Sequence, residues 1–138
     1  MVSIAAFSFH PAFYPPRSGG EQRLYNIYNN LSIKYKIILI TFTFPHDKNE
    51  VKVIMHNENF KEIRIPKTTI SKLIYYFINR FTSIKECSAV VTSIESRLNK
   101  NFKIISKNEI KNADIIIFVS PYLLKKKMSK TMSQAFRN

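Results

Sequence analysis

Residues 2–41 read VSIAAFSFHPAFYPPRSGGEQRLYNIYNNLSIKYKIILIT, and they hold both glycines of the chain. The apolar run Val2–Phe9 predicts a buried parallel strand, and Lys36–Phe44 (KIILITFTF) predicts a second one. Between them lies a stiff, proline-bearing loop over residues 10–18, followed by an amphipathic helix that begins near Gly19-Gly20. This order predicts a βαβ unit with a right-handed crossover.

The remainder of the chain continues the alternation of strands and helices. Two further strands are predicted at Val51–Met55 and at Lys61–Pro66, the latter at a sheet edge. A helix is predicted to begin at Thr68 or Thr69, and apolar residues at helical spacing continue to about Asn101. Later elements are a short strand at Phe102–Ser106, a linker or single turn at Glu109–Ala113, a buried strand at Asp114–Val119 and a helix from Tyr122 to about Met132. The pattern indicates one α/β domain, residues 1–138, with a mostly parallel sheet.

The chain is strongly basic, with 22 Lys and Arg against 9 Asp and Glu and a net charge of +13. Such a charge favours nucleic acid, an anionic membrane surface or phosphorylated substrates as partners. Codon bias from an AT-rich genome explains it equally well, because Ile, Lys and Asn are abundant and Lys far exceeds Arg.

Location is predicted from the cysteine count and from the hydropathy pattern. Cys87 is the only cysteine, so a reducing cytoplasm is expected, and this thiol is interpreted as a structural one. The amino terminus has no basic segment before its apolar run, which indicates a strand and not a signal peptide. No apolar run approaches the ~20 residues of a membrane span.

The adjacent glycines Gly19 and Gly20 form the candidate binding motif. A helix that begins there directs unpaired N–H groups and a partial positive charge at an anionic ligand such as a phosphate. Neither the dinucleotide fingerprint nor the phosphate-binding loop is present, since Glu21 stands where the latter needs a lysine. The alternative is that the glycines only allow a tight strand-to-helix turn.

This arrangement resembles the start of a retaining glycosyltransferase of the GT-B fold, family 4 type, which has two facing Rossmann-like domains. The resemblance is carried by Tyr14-Pro15-Pro16, Gly19-Gly20-Glu21, Arg23, Leu31 and Lys36–Thr41, with Phe60–Pro66 and Asp114–Leu123 as later pieces. It implies a Rossmann-like three-layer domain that binds mainly the acceptor. It also implies that Gly19 and Gly20 face the diphosphate of a nucleotide-sugar, with Arg17 and Arg23 as further contacts to phosphate or to an acidic acceptor.

Departures from that family limit the expected activity. The family places the donor nucleotide largely in a C-terminal domain that carries an E-x-x-x-x-x-x-x-E pair, and these 138 residues do not include that domain. The chain is therefore expected to be a truncated or split N-terminal half, inactive alone and completed by a donor domain in trans. We expect no catalytic residue, metal or cofactor in it. The expected partners are a nucleotide-sugar and a glycan or lipid-linked acceptor, at the inner face of the membrane if the chain is peripheral.

The alternative function is a small basic protein that binds nucleic acid or an anionic membrane. Charge is spread along the chain and no nucleic-acid module is visible, which makes nucleic acid the weaker partner. Leu73, Phe77 and Phe81 are expected to pack on the sheet, and a membrane-surface role for this basic, aromatic helix is the alternative. The three histidines lack metal-ligand spacing, although His10 lies in the candidate loop, and Asp114 is expected to cap a turn.

Overall fold

A single mixed sheet organises the molecule, with helices between its strands. The computed structural model describes residues 1–12, 15, 19–43, 49–81 and 88–119. The elements in chain order are β1 (Ser3–Phe7), α1 (Gly19–Leu31), β2 (Lys36–Phe42), β3 (Lys52–Asn57), β4 (Phe60–Ile65), α2 (Thr69–Phe81), α3 (Ser88–Leu98), α4 (Lys100–Lys111) and β5 (Ile115–Phe118). The predicted α/β class and the mostly parallel sheet are confirmed.

Within the described part of the chain, five strands lie in the order β3-β4-β2-β1-β5. β1 pairs in parallel with β2 on one side and with β5 on the other, and β2 pairs in parallel with β4. Only β3 runs antiparallel, because a tight turn at residues 58–59 connects it to β4 as a hairpin. The strands β2, β4 and β3 therefore lie on one side of β1, and the last strand, β5, lies on its other side.

The prediction that residues 61–66 form an edge strand is wrong, because β4 lies between β3 and β2. The alternation of charged and apolar residues in this strand suggested one face in water. In the structure both faces are covered, and the charged Glu62 and Arg64 are neutralised by each other and by neighbouring groups.

Helices cover both faces of the sheet. One face packs Phe7, Ile40 and Phe42 against Phe102 and Ile105 of α4. The opposite face packs a second apolar cluster against α1, made of Ile4, Ala6, Ile37, Leu39, Phe60, Leu24 and Tyr28. Successive residues of β1 and β2 point to opposite faces, so a strand buried on both sides is apolar over most of its length, as Ile37–Ile40 of β2 are.

The predicted short strand at Phe102–Ser106 is wrong, because these residues lie within α4. Asn99 caps this helix: its side-chain oxygen accepts a hydrogen bond from the Phe102 N–H at 3.1 Å. Phe102 and Ser106, four residues apart, face inward as one side of a helix. The helix continues to Lys111, so the linker predicted from Glu109 begins only at Asn112.

The strand predicted at residues 114–119 is present as β5, but it is not buried. It forms the sheet edge beside β1, and Ile116, Ile117 and Phe118 are half-buried while Ile115 is exposed. A strand with a neighbour on one side only keeps part of its surface open to solvent, so its apolar composition indicated more burial than its position allows.

The apolar stripe of α2 was predicted to face the sheet, and this prediction is wrong. Leu73, Phe77 and Phe81 are 52%, 54% and 74% exposed, respectively. The inward side of α2 is formed by the fully buried Ser71 and by the half-buried Ile74 and Ile78.

Several expectations fall on residues that the structure does not describe. These are Arg17, His46, Cys87 and the helix from Tyr122 onward. Within the described part of the chain, no helix is both long and apolar enough to cross a bilayer.

Candidate functional site

The carboxyl ends of the parallel strands meet at one edge of the sheet, and the candidate site lies there. β1 is the strand at which the order reverses, since β2 and β4 lie on one side of it and β5 on the other. In open α/β sheets such a reversal leaves a crevice in which ligands bind. Hydrogen bonds continue past the strand ends here: the Ser8 N–H donates to the Ile40 oxygen at 2.9 Å, and the Val119 N–H to the Phe7 oxygen at 2.9 Å.

Gly19 and Gly20 begin α1, the helix that follows β1. A Cβ built on either glycine meets no atom within 4 Å, and neither residue has a positive φ. The backbone therefore does not require glycine here, which removes the main physical support for the tight-turn interpretation. The space that a Cβ would occupy at either position is open, and the first N–H groups of an α-helix have no partner within the helix.

Charged residues flank this helix start. Arg23 is exposed on α1, one turn after Gly19, and Glu21 is buried in the first turn. The structure thus brings Gly19, Gly20 and Arg23 together at one end of α1, whereas Arg17 lies outside the described residues. A negative ligand in front of α1 would meet the positive end of the helix dipole.

A buried carboxylate that the sequence analysis did not identify holds the segment after β1. The Glu62 side chain is fully buried, and its Oε1 accepts hydrogen bonds from the Ala12 N–H at 3.0 Å and from Thr41 Oγ1 at 2.9 Å. Its Oε2 lies 2.9 Å from Arg64 Nη2 and 2.8 Å from His56 Nε2. Arg64 also donates to the Ala12 oxygen at 2.8 Å, so both backbone polar groups of Ala12 are held.

We call these five residues, Ala12, Thr41, His56, Glu62 and Arg64, the Glu62 cluster. Because every lone-pair direction of the carboxylate is engaged, Glu62 positions the loop and is not free to act as a base. The sequence signal was present: two charged residues alternate with isoleucines in β4, next to a histidine on the preceding strand. It was missed because alternation is the usual mark of a solvent-facing strand.

The pKa of Glu62 reflects these contacts. Burial raises it, and the hydrogen bonds from His56 and Arg64, the charge of Arg64 and the Ala12 N–H together outweigh burial, so the pKa lies below its ordinary value of 4.5.

The free energy of unfolding should therefore decrease when the pH is lowered into the acid range. A carboxyl group with a lowered pKa in the folded state stabilises it above the unfolded pKa, and this contribution is lost as the pH falls through the folded pKa. We expect the free energy of unfolding, measured by urea titration, to fall as the pH is lowered below about 4.5, the ordinary pKa of a glutamate, and to fall less steeply in Glu62→Gln. Equal slopes for the two proteins would contradict the assigned ionisation.

A second buried carboxylate, Glu95 of α3, anchors the segment after β4. It accepts hydrogen bonds from the Thr68 N–H at 2.8 Å and from Thr68 Oγ1 at 2.9 Å, just before α2 begins, and Asn99 Nδ2 donates to it. Lys67, the residue before Thr68, is also buried, and its Nζ lies 4.6 Å from the centre of the Phe9 ring. The carboxyl ends of β1 and β4 are thus linked on the α4 face of the sheet.

The other candidate ionisable groups have structural roles. Asp114 Oδ2 accepts hydrogen bonds from the Ser3 N–H at 2.8 Å and from Ser3 Oγ at 3.2 Å, at the amino edge of the sheet, away from α1's start. These bonds lower the pKa of Asp114. His56 packs on Phe60 with ring centres 4.5 Å apart. Among the described residues no group of three His, Cys, Asp or Glu side chains is placed to hold a metal ion.

Comparison with known proteins gives no assignment. No protein-family model, curated protein or solved structure matches this chain.

Proposed function

We propose that this chain is the acceptor-side, Rossmann-like part of a family 4 type glycosyltransferase, which acts together with a donor-binding domain. The observation that supports this most directly is the position of Gly19-Gly20. The pair begins the helix that follows β1, at the carboxyl edge of the sheet and at the strand where the order reverses.

In this proposal the start of α1 binds the diphosphate of a nucleotide-sugar. Its first N–H groups have no partner within the helix and would donate to phosphate oxygens, with the helix dipole adding attraction. The absence of Cβ atoms at both positions lets a phosphate approach the backbone closely. Arg23, and Arg17 before the helix, would add charge-assisted hydrogen bonds.

The Glu62 cluster would contribute rigidity. It fixes Ala12, five residues after the end of β1, by hydrogen bonds to a strand two positions away in the sheet. A binding loop that is held before the ligand arrives loses less conformational entropy on binding. The chain's own role is then to bind and orient donor and acceptor, and we assign no proton transfer to any of its described residues.

The chain's two glycines allow a direct test by NMR. With only Gly19 and Gly20 present, the two glycine amide signals report on the proposed site without ambiguity. We expect inorganic pyrophosphate and a nucleoside diphosphate to shift both signals in a saturable way. Shifts spread evenly over lysine-rich surfaces, with none at the glycines, would overturn the proposal.

Matched variants sharpen this test. Gly20→Ala should leave the free energy of unfolding unchanged or raise it by up to about 1 kcal/mol, since the new Cβ meets nothing. The same methyl group should weaken pyrophosphate binding several-fold, because it stands where the ligand approaches. Arg23→Gln should weaken binding as well, whereas Lys103→Gln, an exposed charge change on α4, should not.

A further inference from the structure

A shallow depression lies at the amino edge of the sheet, where α1 ends beside the turn between β3 and β4. Its volume is about 300 Å³, which is at the lower end of the range for small-molecule sites. We call it the amide depression, because three of its six lining residues carry side-chain amides. The six are Asn29, Ser32, Ile33, Asn57, Glu58 and Asn59.

Hydrogen bonds among the lining residues fix the side chains of the amide depression. Asn57 Nδ2 donates to Asn29 Oδ1 at 2.9 Å and to Ser32 Oγ at 2.8 Å. Asn57 Oδ1 accepts a hydrogen bond from the Asn59 N–H at 2.9 Å. Asn59 Nδ2 in turn donates to the Ser32 backbone oxygen at 3.1 Å. The side chain of Asn57 is thus fully used in holding the end of α1 against the hairpin.

The same bonds determine which polar groups remain for a ligand. Because Asn29 Oδ1 accepts from Asn57, the two N–H donors of the Asn29 amide are directed away from that bond, and they have no partner among the described residues. The Asn59 Oδ1 and the Glu58 carboxylate likewise accept no hydrogen bond from the described part of the chain. One depression therefore presents oriented donors together with acceptors.

The charge of the amide depression excludes one class of ligand. None of its six residues is basic, in a chain with 22 Lys and Arg. Glu58 supplies the only charge among them, and the last turn of α1 has no basic residue, so the negative end of the helix dipole adds to the same sign. An anionic ligand would be repelled here.

The hydrogen-bonding capacity distinguishes a hydroxyl-bearing ligand from an amine. A hydroxyl group both donates and accepts, so it can meet the Asn29 donors as well as the Asn59 and Glu58 acceptors. An ammonium group only donates, and it would leave the Asn29 donors without an acceptor. Ile33 adds an apolar surface that is 76% exposed, in the turn after α1. The C–H face of a sugar ring can cover such a surface while the hydroxyls at its rim reach the amides.

We propose that the amide depression binds an uncharged sugar ring, as a mono- or disaccharide. The Asn29 amide donates to hydroxyl oxygens of the ring, Asn59 Oδ1 and Glu58 accept from its hydroxyls, and Ile33 packs against its C–H face. α1 has 13 residues, so its end lies about 18 Å from its start at Gly19. Binding here is therefore separate from the nucleotide-sugar site and does not rest on it.

Side-chain amide signals in NMR spectra report on this site. With methyl β-glucopyranoside and N-acetylglucosamine as probes, we expect saturable shifts of the Asn29 and Asn59 NH₂ signals. The dissociation constant should be on the order of 1 mM, because these ligands have few non-hydrogen atoms. The amide signals of Gly19 and Gly20 should not move, which separates this result from the pyrophosphate titration. Methylamine should shift the NH₂ signals less. The absence of saturable sugar shifts, or larger shifts with methylamine than with both sugars, would overturn the proposal.

A matched pair of substitutions tests the donors of Asn29. Asn29→Asp keeps an oxygen that accepts from Asn57 but removes both N–H donors, so sugar affinity should fall about five-fold, as for the loss of one hydrogen bond. Asn26→Asp makes the same change at an exposed position of α1 outside the depression, and it should lose less than about two-fold. Equal affinities in these two variants would show that the Asn29 amide contacts no sugar.

A second pair tests the apolar contact without touching the hydrogen bonds. Ile33→Ala should weaken sugar binding about three-fold while leaving the free energy of unfolding unchanged, since this side chain is mostly in solvent. Ile104→Ala, at a position 60% exposed on α4, is the control and should bind the sugars as the unaltered protein does. If Ile33→Ala also binds them unchanged, no sugar ring covers Ile33 and the proposal fails.

Discussion

Glu62→Ala should lower the free energy of unfolding by about 3–5 kcal/mol, a loss comparable to the whole stability of many small domains. The substitution removes a fully buried carboxylate that accepts hydrogen bonds from the Ala12 N–H, Thr41 and Arg64. The Arg64 guanidinium, itself largely buried, would keep its charge without this counter-ion. An uncompensated buried charge is what makes breaking such a pair costly.

Urea unfolding followed by circular dichroism measures this loss. Glu62→Gln, which keeps the shape and part of the hydrogen bonding, should lose less than the alanine variant. The control Glu58→Ala lies in the exposed turn between β3 and β4 and should change stability by no more than about 0.5 kcal/mol. If Glu62→Ala is as mild as Glu58→Ala, the cluster described here is not formed in solution.

Phe7→Ala should lower the free energy of unfolding by a similar amount, about 3–5 kcal/mol, through a different mechanism. Phe7 is fully buried on the central strand, stacked on Phe118 of β5 at 5.0 Å and edge-on to Phe102 of α4 at 6.1 Å. Truncation removes its apolar contacts and leaves a cavity between the central strand, the edge strand and α4.

The matched control is another phenylalanine. Phe81→Ala, on the exposed stripe of α2, should change stability by less than about 0.5 kcal/mol, because this ring is already in contact with solvent. The pair thus separates a core residue from a surface residue of the same type. Comparable losses in the two variants would mean that Phe81 is covered by another part of the protein in solution.

Much of the sheet could be predicted from local patterns. β1, α1 and β2 were predictable because a strand buried on both faces is apolar over most of its length, and because proline and glycine separate the strand from the helix so clearly. The extent of α4 was not predictable in the same way. Residues 102–106 (FKIIS) are too few for their pattern to distinguish a strand from a helix. The deciding contact is the Asn99 cap, and the Asn99 side chain is itself held by hydrogen bonds to the Pro66 oxygen and to Glu95.

The candidate site was predictable only in part. The glycine pair at a helix start follows from spacing, since it needs only one strand and one helix. The Glu62 cluster needs residues from the loop after β1 and from three strands, and nothing local in the sequence shows that β4 lies inside the sheet. The outward position of α2 was also missed, because a helical stripe indicates which residues share a face and not what that face contacts.

The hydrogen bond between Ala12 and Glu62 has a consequence for the order of folding. It joins residues 50 positions apart, so the loop between them must close before the bond can form. The segment around Ala12 is therefore expected to become ordered only after β4 has paired with β2, late on the folding pathway. Exchange of the Ala12 amide hydrogen with solvent would then require β4 to detach, and a nascent chain would complete this edge of the sheet only when the sheet is assembled.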